Sequence, residues 1–571
     1  MRPPLSPAIA GASAYAVPRH PAPVRFRLDS GEGMLPPGRL LERLADADAD
    51  RLIRQYPERH ELEAQIAAFL DVHPSQVLVT AGADDALDRA CRAFLAPGRN
   101  AIFPAPSFEM IARYIRWTGA ELREVPWPYG PWPTEAVHAA CNASTTLIAM
   151  VSPNNPTGAV ATADDLVRIS EAHPGAAILL DHAYVEFADD DLTAVALGLD
   201  NVLVFRTLSK AWGLAGLRVG WVAGPAWMIT ALRAAGNPYT VSAPSLMLAA
   251  YRLEHGRAEA ASFAERVCVE RQELENLLAI HDLAVQPSQG NFVFFRTGWS
   301  AWLKDALAGL GIAIRTWPNR PDLADAVRIT MPGNEVAFDA LVHGIKAALT
   351  PDAVIFDMDG VLVDTSRSYR AAIAATAAQF GVYLTQDDIR EAKAEGHANN
   401  DWVLTRRLIE RAGVRVTLAN VTESFERLYQ GVDGVPGLKR TEHALVDRPW
   451  LEALRKRFKL GIVTGRPRRD AMDFLEREGL TDLFDTIQCM EDGPLKPDPA
   501  PVRAAMDRLG VTRAWMIGDT VDDVVAAREA GVVPLGVVAP GDALDRASTE
   551  LLRAGAARVL PNTTALAELL P

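Results

Sequence analysis

The chain holds two successive series of short apolar runs alternating with helical patterns, and the second series begins abruptly. Residues 346–366 read KAALTPDAVIFDMDGVLVDTS. The left end has the pattern of a closing helix. The right end is an apolar run, AVIF (353–356), that stops at two aspartates, Asp357 and Asp359. In the first series the runs are TLIAMV (146–151), AAILL (176–180) and NVLVF (201–205); in the second, LGIV (460–463) and AWMIG (514–518) follow AVIF. Strand–helix alternation of this kind predicts layered α/β domains. A length of 571 residues, at about 150 per domain, predicts three or four folding units. We place the boundary near Thr350 and Pro351. Residues 1–350 divide into a large domain over about 50–240 and a small one from the N-terminal segment and about 241–350. Residues 351–571 form a second α/β region with a helical insert over about 366–435, where Tyr369, Ile373, Ala377 and Phe380 share one helical face.

Composition excludes several classes. A hydrophobic fraction of 49% with 23% charged residues is that of a soluble globular protein. A net charge of −14 argues against a nucleic-acid binder or a protein of acidic membranes, both of which need a basic face. Small anionic substrates need only a local basic pocket. Cys91, Cys141, Cys268 and Cys489 form no CxxC pair and read as reduced thiols. The N-terminal stretch MRPPLSPAIAGASAYAVPRHPAP has prolines where a secretion signal needs an apolar run, and no apolar segment is long enough to span a membrane. A cytoplasmic enzyme of small molecules is the expectation.

The densest motif of the first half is RTLSKAWGLAGLRVGW (206–221). A strand ends, a hydroxyl pair follows (Thr207, Ser209), then Lys210, then a glycine-rich turn with Arg218. A lysine so placed can condense with a carbonyl cofactor, and the hydroxyls and arginine can hold a phosphate. A solvated lysine is the bland alternative. Four further stretches favour the cofactor. GADDAL (82–87) opens a helix whose N–H groups suit a phosphate. SPNNPTG (152–158) presents Asn155 at a strand end. LLDHAYVEF (179–187) puts Asp181 just past a buried strand and Tyr184 one turn later, and a buried carboxylate keeps a pyridine nitrogen protonated. Phe108, in PSFEM, offers a face for a flat ring.

On these residues the first half, over roughly 5–348, resembles fold-type I aminotransferases dependent on pyridoxal phosphate, and within them histidinol-phosphate aminotransferases. The resemblance implies that Lys210 carries the cofactor and moves the substrate proton. It implies that Asp181 pairs with the ring nitrogen, that Asn155 and Tyr184 bond the phenolic oxygen, and that Phe108 stacks. Ala83, Asp84, Thr207, Ser209 and Arg218 would hold the phosphate. Tyr56 would reach the neighbouring subunit's cofactor, which implies a homodimer. Arg328, in AVRITM, is either an exposed strand arginine or, by the resemblance, the clamp for an anionic substrate end. Tyr15, Asn291 and Arg315 are further candidates for that pocket. The chain departs from the family in three places: SGEG (30–33) replaces an asparagine-bearing stretch, His182 replaces a glutamate, and Phe108 replaces a tyrosine. His182 reads as a packing or supporting residue.

In the second half, two carboxylates two residues apart can share a divalent cation, or one can attack phosphorus while the other handles protons. A calcium loop or a plain turn would look alike. IVTG adds Thr464, LKPDP adds Lys496, and MIGDTVDD adds Asp519 and Asp523. In this order the four pieces resemble the phosphatase branch of the haloacid dehalogenase superfamily over about 352–571. The resemblance implies an aspartyl-phosphate nucleophile at Asp357 and an acid and base at Asp359. It implies Mg²⁺ on Asp357, the main-chain oxygen of Asp359 and Asp519, supported by Asp523. Thr464 and Lys496 would hold the phosphoryl group. The insert becomes a cap, in which Glu395, His397, Asn399 and Asn400 are either substrate contacts or a solvated loop.

Together the halves imply two consecutive steps of histidine biosynthesis: transamination giving histidinol phosphate, then removal of its phosphate. Two alternatives stand beside this expectation. One keeps both chemistries with another amino acid or amino-acid phosphate, and with a phosphatase of different or broad specificity. The other makes the first half a cofactor-holding dimer scaffold that regulates the phosphatase.

Overall fold

The computed structural model describes residues 3–15, 17–36, 39–45, 47–395, 400–432 and 434–570. They form two compact units. The first comprises Met1–Val17, Leu28–Gly298 and Arg315–Phe338; the second comprises Pro18–Arg27, Trp299–Ile314 and Asp339–Pro571.

The first unit is built on a seven-stranded sheet. Its order is Val77–Thr80, Gly220–Ala223, Val202–Thr207, Ala177–Asp181, Thr145–Val151, Asn100–Ala105, Glu121–Pro126. All neighbours are parallel except Gly220–Ala223, which runs against both of its partners. The continuous apolar runs of the sequence are explained by burial on both faces. Leu147, Ala149, Val151, Leu179, Leu203 and Phe205 enter one core, while Ile148, Met150, Ile178, Leu180, Val202 and Val204 enter the other. A second, antiparallel layer contains Ala284–Gln286, Phe292–Arg296 and Ala326–Thr330, with Arg315 opposite Arg328.

The second unit holds a six-stranded, all-parallel sheet in the order Thr486–Gln488, Lys459–Val463, Ala353–Phe356, Ala514–Gly518, Val533–Val537, Arg558–Leu560. Ala353–Phe356 sits where the strand order reverses, the position at which such sheets open a crevice for ligands. Among the described residues the expected insert holds four helices, Tyr369–Gln379, Gln386–Ala394, Asp401–Arg411 and Leu418–Gln430. Tyr369, Ile373 and Ala377 are buried as the periodicity predicts. After the insert, His443–Ala444 pairs back onto Val363–Asp364.

The compact units do not divide at Thr350 and Pro351. Helix Glu335–Leu349 ends inside the second unit, where two of its C-terminal carbonyls are capped by indoles. Trp515 Nε1 donates to Ala347 at 2.7 Å and Trp302 Nε1 donates to Ala348 at 2.9 Å. The two rings pack at 4.7 Å, and Arg558 pairs with Asp305 at 2.6 Å. Apolar periodicity could not show these partners, since they come from segments far apart in sequence.

Candidate active sites

In the first unit, strand ends and the helix Gly82–Phe94 surround a cavity of about 530 Å³. Lys210, Asp181, Asn155, Tyr184, Phe108, Ala83, Asp84, Thr207, Ser209 and Arg218 all line it, as do Tyr15, Arg315 and Arg328. Lys210 follows strand Val202–Thr207, and its Nζ donates to Ser30 O at 3.1 Å and stands over the Tyr184 ring. Thr207 and Ser209 are buried and bonded to each other at 2.9 Å. Arg218 turns back through a left-handed backbone (φ 52°) to reach Asp84 at 3.0 Å. Asp181 ends its strand almost fully buried, accepting from Ala183 N at 3.2 Å. Burial pushes its carboxyl up to about 7, with Asp84 adding to the rise and Lys210 opposing it.

Arg328 is buried, which removes the exposed-strand alternative. It donates to Asn155 Oδ1 at 2.5 Å and to Asp29 O at 2.8 Å, and it stacks over Phe292. Asn291 is buried behind the cavity wall, its Nδ2 donating to Gly31 O at 3.1 Å. Tyr56 does not line this cavity. It is exposed and stacks on Tyr239 with ring centroids 4.5 Å apart. His182 is a structural tie: it bonds Ser152 O through Nδ1 and accepts from Leu192 N at Nε2, 3.1 Å away. The Asp191 carboxylate also faces its Nε2, at 3.5 Å.

The residues missed by the sequence reading are Asp29, Ser30, Glu32, Glu109, Trp317 and Arg320, all at the cavity wall. SGEG has a steric reason for its composition. A Cβ on Gly33 would lie 1.7 Å from the Lys210 carbonyl oxygen, so only glycine lets this stretch pass under the lysine. Gly33→Ala is expected to lower stability by about 1–3 kcal/mol and to weaken cofactor binding, as read by thermal unfolding and cofactor titration.

A buried carboxylate without a salt-bridge partner among the described residues, a lysine, a hydroxyl pair, a helix N-terminus and an arginine together fit pyridoxal phosphate, which has a basic ring nitrogen, an aldehyde and a phosphate.

In the second unit, Asp357 follows the central strand Ala353–Phe356. Its carboxylate and those of Asp519 and Asp523 bring one oxygen each within 4.8 Å of one another, a donor set that suits a hard divalent cation. Lys496 Nζ donates to Asp357 Oδ1 at 2.5 Å and to Val463 O at 2.9 Å, and it also pairs with Asp523. Burial works against the charge on Lys496, but Asp357 and Asp523 outweigh it and hold the ammonium above the usual lysine range. Asp357 is pushed up to about 7, chiefly by burial and further by Asp523 and Asp359, against the pull of Lys496. Such an excess of negative charge suits a divalent cation. Gly360 (φ 75°) lets the loop pass Asp519, because a Cβ there would stand 2.4 Å from its Oδ2. Thr464 sits at the tip of the neighbouring strand, its Oγ1 accepting from Arg466 N at 3.1 Å.

The Asp359 side chain turns from the carboxylate group toward Arg466, whose Nε lies 2.5 Å from its Oδ1. Asp359 is not among the three carboxylates that gather there. Arg466 was missed: TGRP gives no hint of its partners. In the cap, Asn400 caps helix Asp401–Arg411, accepting from Trp402 N and Val403 N at 3.1 Å, and Glu395 pairs with Arg411. These contacts support a structural part for both residues. His397 and Asn399 lie outside the described residues.

Comparison with known proteins finds two families along the chain. The family of class I and II aminotransferases matches residues 26–345, and that of haloacid dehalogenase-like hydrolases matches 354–537. The chain is 31% identical over 296 residues to histidinol-phosphate aminotransferase 1 of Legionella pneumophila (strain Paris), spanning 50% of this chain and 80% of that protein. It is 29% identical over 351 residues to the histidinol-phosphate aminotransferase of Thermoanaerobacter pseudethanolicus, spanning 60% of this chain and 97% of the relative. It is also 46% identical over 196 residues to an imidazoleglycerol-phosphate dehydratase of Phytophthora nicotianae, spanning 33% of this chain and less than half, 43%, of that protein. The crystal structure of histidinol-phosphate aminotransferase from Sinorhizobium meliloti in complex with pyridoxal-5'-phosphate has the same fold, with a TM-score of 0.53 and 24% identity over 59% of this chain and 95% of that one. No helix among the described residues is long and apolar enough to cross a membrane. The chain thus belongs to the class I and II aminotransferases and carries, after that region, a haloacid dehalogenase-like hydrolase domain.

Proposed function

We propose that the chain is a bifunctional enzyme of histidine biosynthesis. It transfers the amino group between histidinol phosphate and 2-oxoglutarate, and it hydrolyses a phosphate monoester, histidinol phosphate itself. The observation that carries this reading is one chain with two built sites, the Lys210 cavity and the Asp357 cluster, whose chemistries follow one another on a single phosphorylated amine. Tethering raises the second site's effective concentration near the first product.

In the first site the cofactor supplies an electron-withdrawing ring that weakens the bonds at the substrate's α-carbon. Asp181 holds the proton on the ring nitrogen. Lys210 Nζ would take the proton from the substrate's α-carbon and hold it for return, with Ser30 O orienting the amine. Asn155 and Tyr184 hold the ring oxygen. Ala83, Asp84, Thr207, Ser209 and Arg218 hold the phosphate, while Phe108 stacks. Arg328 grips a carboxylate or phosphate of the substrate, with Tyr15 and Arg315 in the same wall and Asn291 behind it. Tyr56 serves the site of a second copy, in a homodimer. The exposure of Tyr56, which does not line its own chain's cavity, supports that part.

In the second site Asp357 attacks phosphorus, Asp359 exchanges the proton, Thr464 and Lys496 hold the phosphoryl oxygens, and Asp357, Asp519 and Asp523 would hold Mg²⁺, which would supply charge stabilisation there. The free cysteines suit a reducing, cytoplasmic setting.

Arg328→Met is expected to lower kcat/KM for dianionic substrates by about 10–100-fold, from a charged hydrogen-bond pair of about 1.5–3 kcal/mol, with Arg328→Lys falling between. The substrate reading is tested with the whole chain, cofactor and Mg²⁺ against histidinol phosphate, threonine phosphate and aromatic amino acids. Preference for histidinol phosphate supports it. Preference for another amine with intact turnover leaves the chemistry and replaces the substrate. No turnover with any amine favours the scaffold.

A further inference from the structure

Arg466 is 1% exposed, and its guanidinium is spoken for on every side. Its Nε and Nη2 both contact Oδ1 of Asp359 at 2.5 Å. Its Nη1 and Nη2 donate to the two oxygens of Glu442 at 3.1 and 3.2 Å. One flat face lies over the Tyr369 ring, 4.9 Å from its centroid. Glu442 Oε1 in turn accepts from Ser368 Oγ at 2.8 Å and from Tyr429 OH at 3.1 Å. Ser368 and Tyr369 open the first cap helix, Tyr429 closes the last, and Glu442 precedes the strand that leads back from the cap. A single buried cation therefore joins the side chain of Asp359 to both roots of the cap.

We propose that Arg466 is a positioning residue for phosphate-ester cleavage: it holds Asp359 by one carboxyl oxygen so that the other delivers the proton, and Glu442 ties that placement to a seated cap. This rests on the phosphatase reading above. In the first step an Asp357 oxygen bonds to phosphorus as the phosphorus–ester oxygen bond breaks. The electron pair goes to the ester oxygen, which takes the proton from Asp359 Oδ2. In the second step a water oxygen bonds to phosphorus and its proton goes to Asp359. The bond from Asp357 to phosphorus breaks, restoring both carboxyl groups and releasing phosphate. Both contacts of Arg466 fall on Oδ1, so the proton travels on Oδ2. A freely turning carboxyl would present either oxygen, or neither, to the leaving group.

Leaving-group dependence separates this role from general support of the fold. An alkyl phosphate such as histidinol phosphate needs a proton on its departing oxygen, whereas p-nitrophenyl phosphate leaves as a stable phenolate. The test is single-turnover phosphorylation of the full chain with Mg²⁺, comparing Arg466→Met, Arg466→Lys, Glu442→Gln and Asp359→Asn. Arg466→Met is expected to slow the alkyl ester by about 100–1,000-fold and the nitrophenyl ester by less than about 10-fold, the same selectivity that Asp359→Asn gives. Arg466→Lys should recover part of the alkyl rate, and Glu442→Gln should show the same bias at smaller amplitude. Equal losses on both esters, or no loss, overturn the proposal. If Arg466→Met fails to fold, the Lys and Gln variants decide it by the same ratio. A wild-type chain that cleaves neither ester removes the phosphatase reading itself, and this proposal with it.

Discussion

Lys210→Ala is expected to abolish amino transfer while phosphate release continues, and Asp357→Asn is expected to do the reverse. Each loss should reach about 10⁴-fold or more, the scale on which an acid–base group or a nucleophile acts. The independence follows from structure. Lys210, Asp181 and Arg328 line one cavity in the first compact unit, and Asp357, Lys496, Asp519 and Asp523 cluster in the second. No residue is shared, so neither substitution removes a group that the other reaction uses. Glutamate and inorganic phosphate measured on the same samples check it. A Lys210→Ala chain that also stops releasing phosphate from histidinol phosphate would mean that the second site depends on the first.

Asp181→Asn should produce opposite effects on stability and activity. In the cofactor-free protein the Asp181 carboxyl is buried and pushed up to about 7, against an ordinary value of 3.8. The folded state thus takes up a proton near pH 7 that the unfolded chain binds only near pH 4. Stability from this group is fully present below about pH 4 and is lost as pH rises through about 7. At pH 8 the cost is of the order of 4 kcal/mol, at 1.36 kcal/mol per unit. Asparagine keeps the shape and removes the charge. Cofactor-free Asp181→Asn is expected to melt a few degrees higher than wild type at pH 8 and equally at pH 4–5. With cofactor bound it should lose about 10³-fold or more in amino transfer, because nothing then holds the proton on the ring nitrogen. Melting curves of cofactor-free protein at pH 5 and 8 decide the first part. A lower melting point at pH 8 would show that the carboxylate has a stabilising partner after all.

The sites were legible where chemistry sits next to regular structure. Lys210, Asp181, Asn155 and Asp357 each stand at or just beyond the end of a buried strand, and apolar runs mark those ends in one dimension. What stayed hidden depends on approaches between distant segments. SGEG looked like a lost asparagine until its carbonyl was found on Lys210 and its glycine under the lysine backbone. Arg466 meets Asp359 across 107 residues, and Glu442 across 24. His182, by contrast, reads from the sequence as a packing or supporting residue, and it bonds two backbone groups beside Asp191. Trp302 and Trp515 cap one helix from 213 positions apart, which is why the compact units do not divide at Pro351.

The most direct test uses the purified chain with pyridoxal phosphate and Mg²⁺, given histidinol phosphate and 2-oxoglutarate, with glutamate and inorganic phosphate followed separately. The account predicts both products, glutamate lost in Lys210→Ala and phosphate lost in Asp357→Asn. Phosphate without glutamate would contradict the aminotransferase half as stated. Glutamate without phosphate would contradict the pairing of the two steps on one chain.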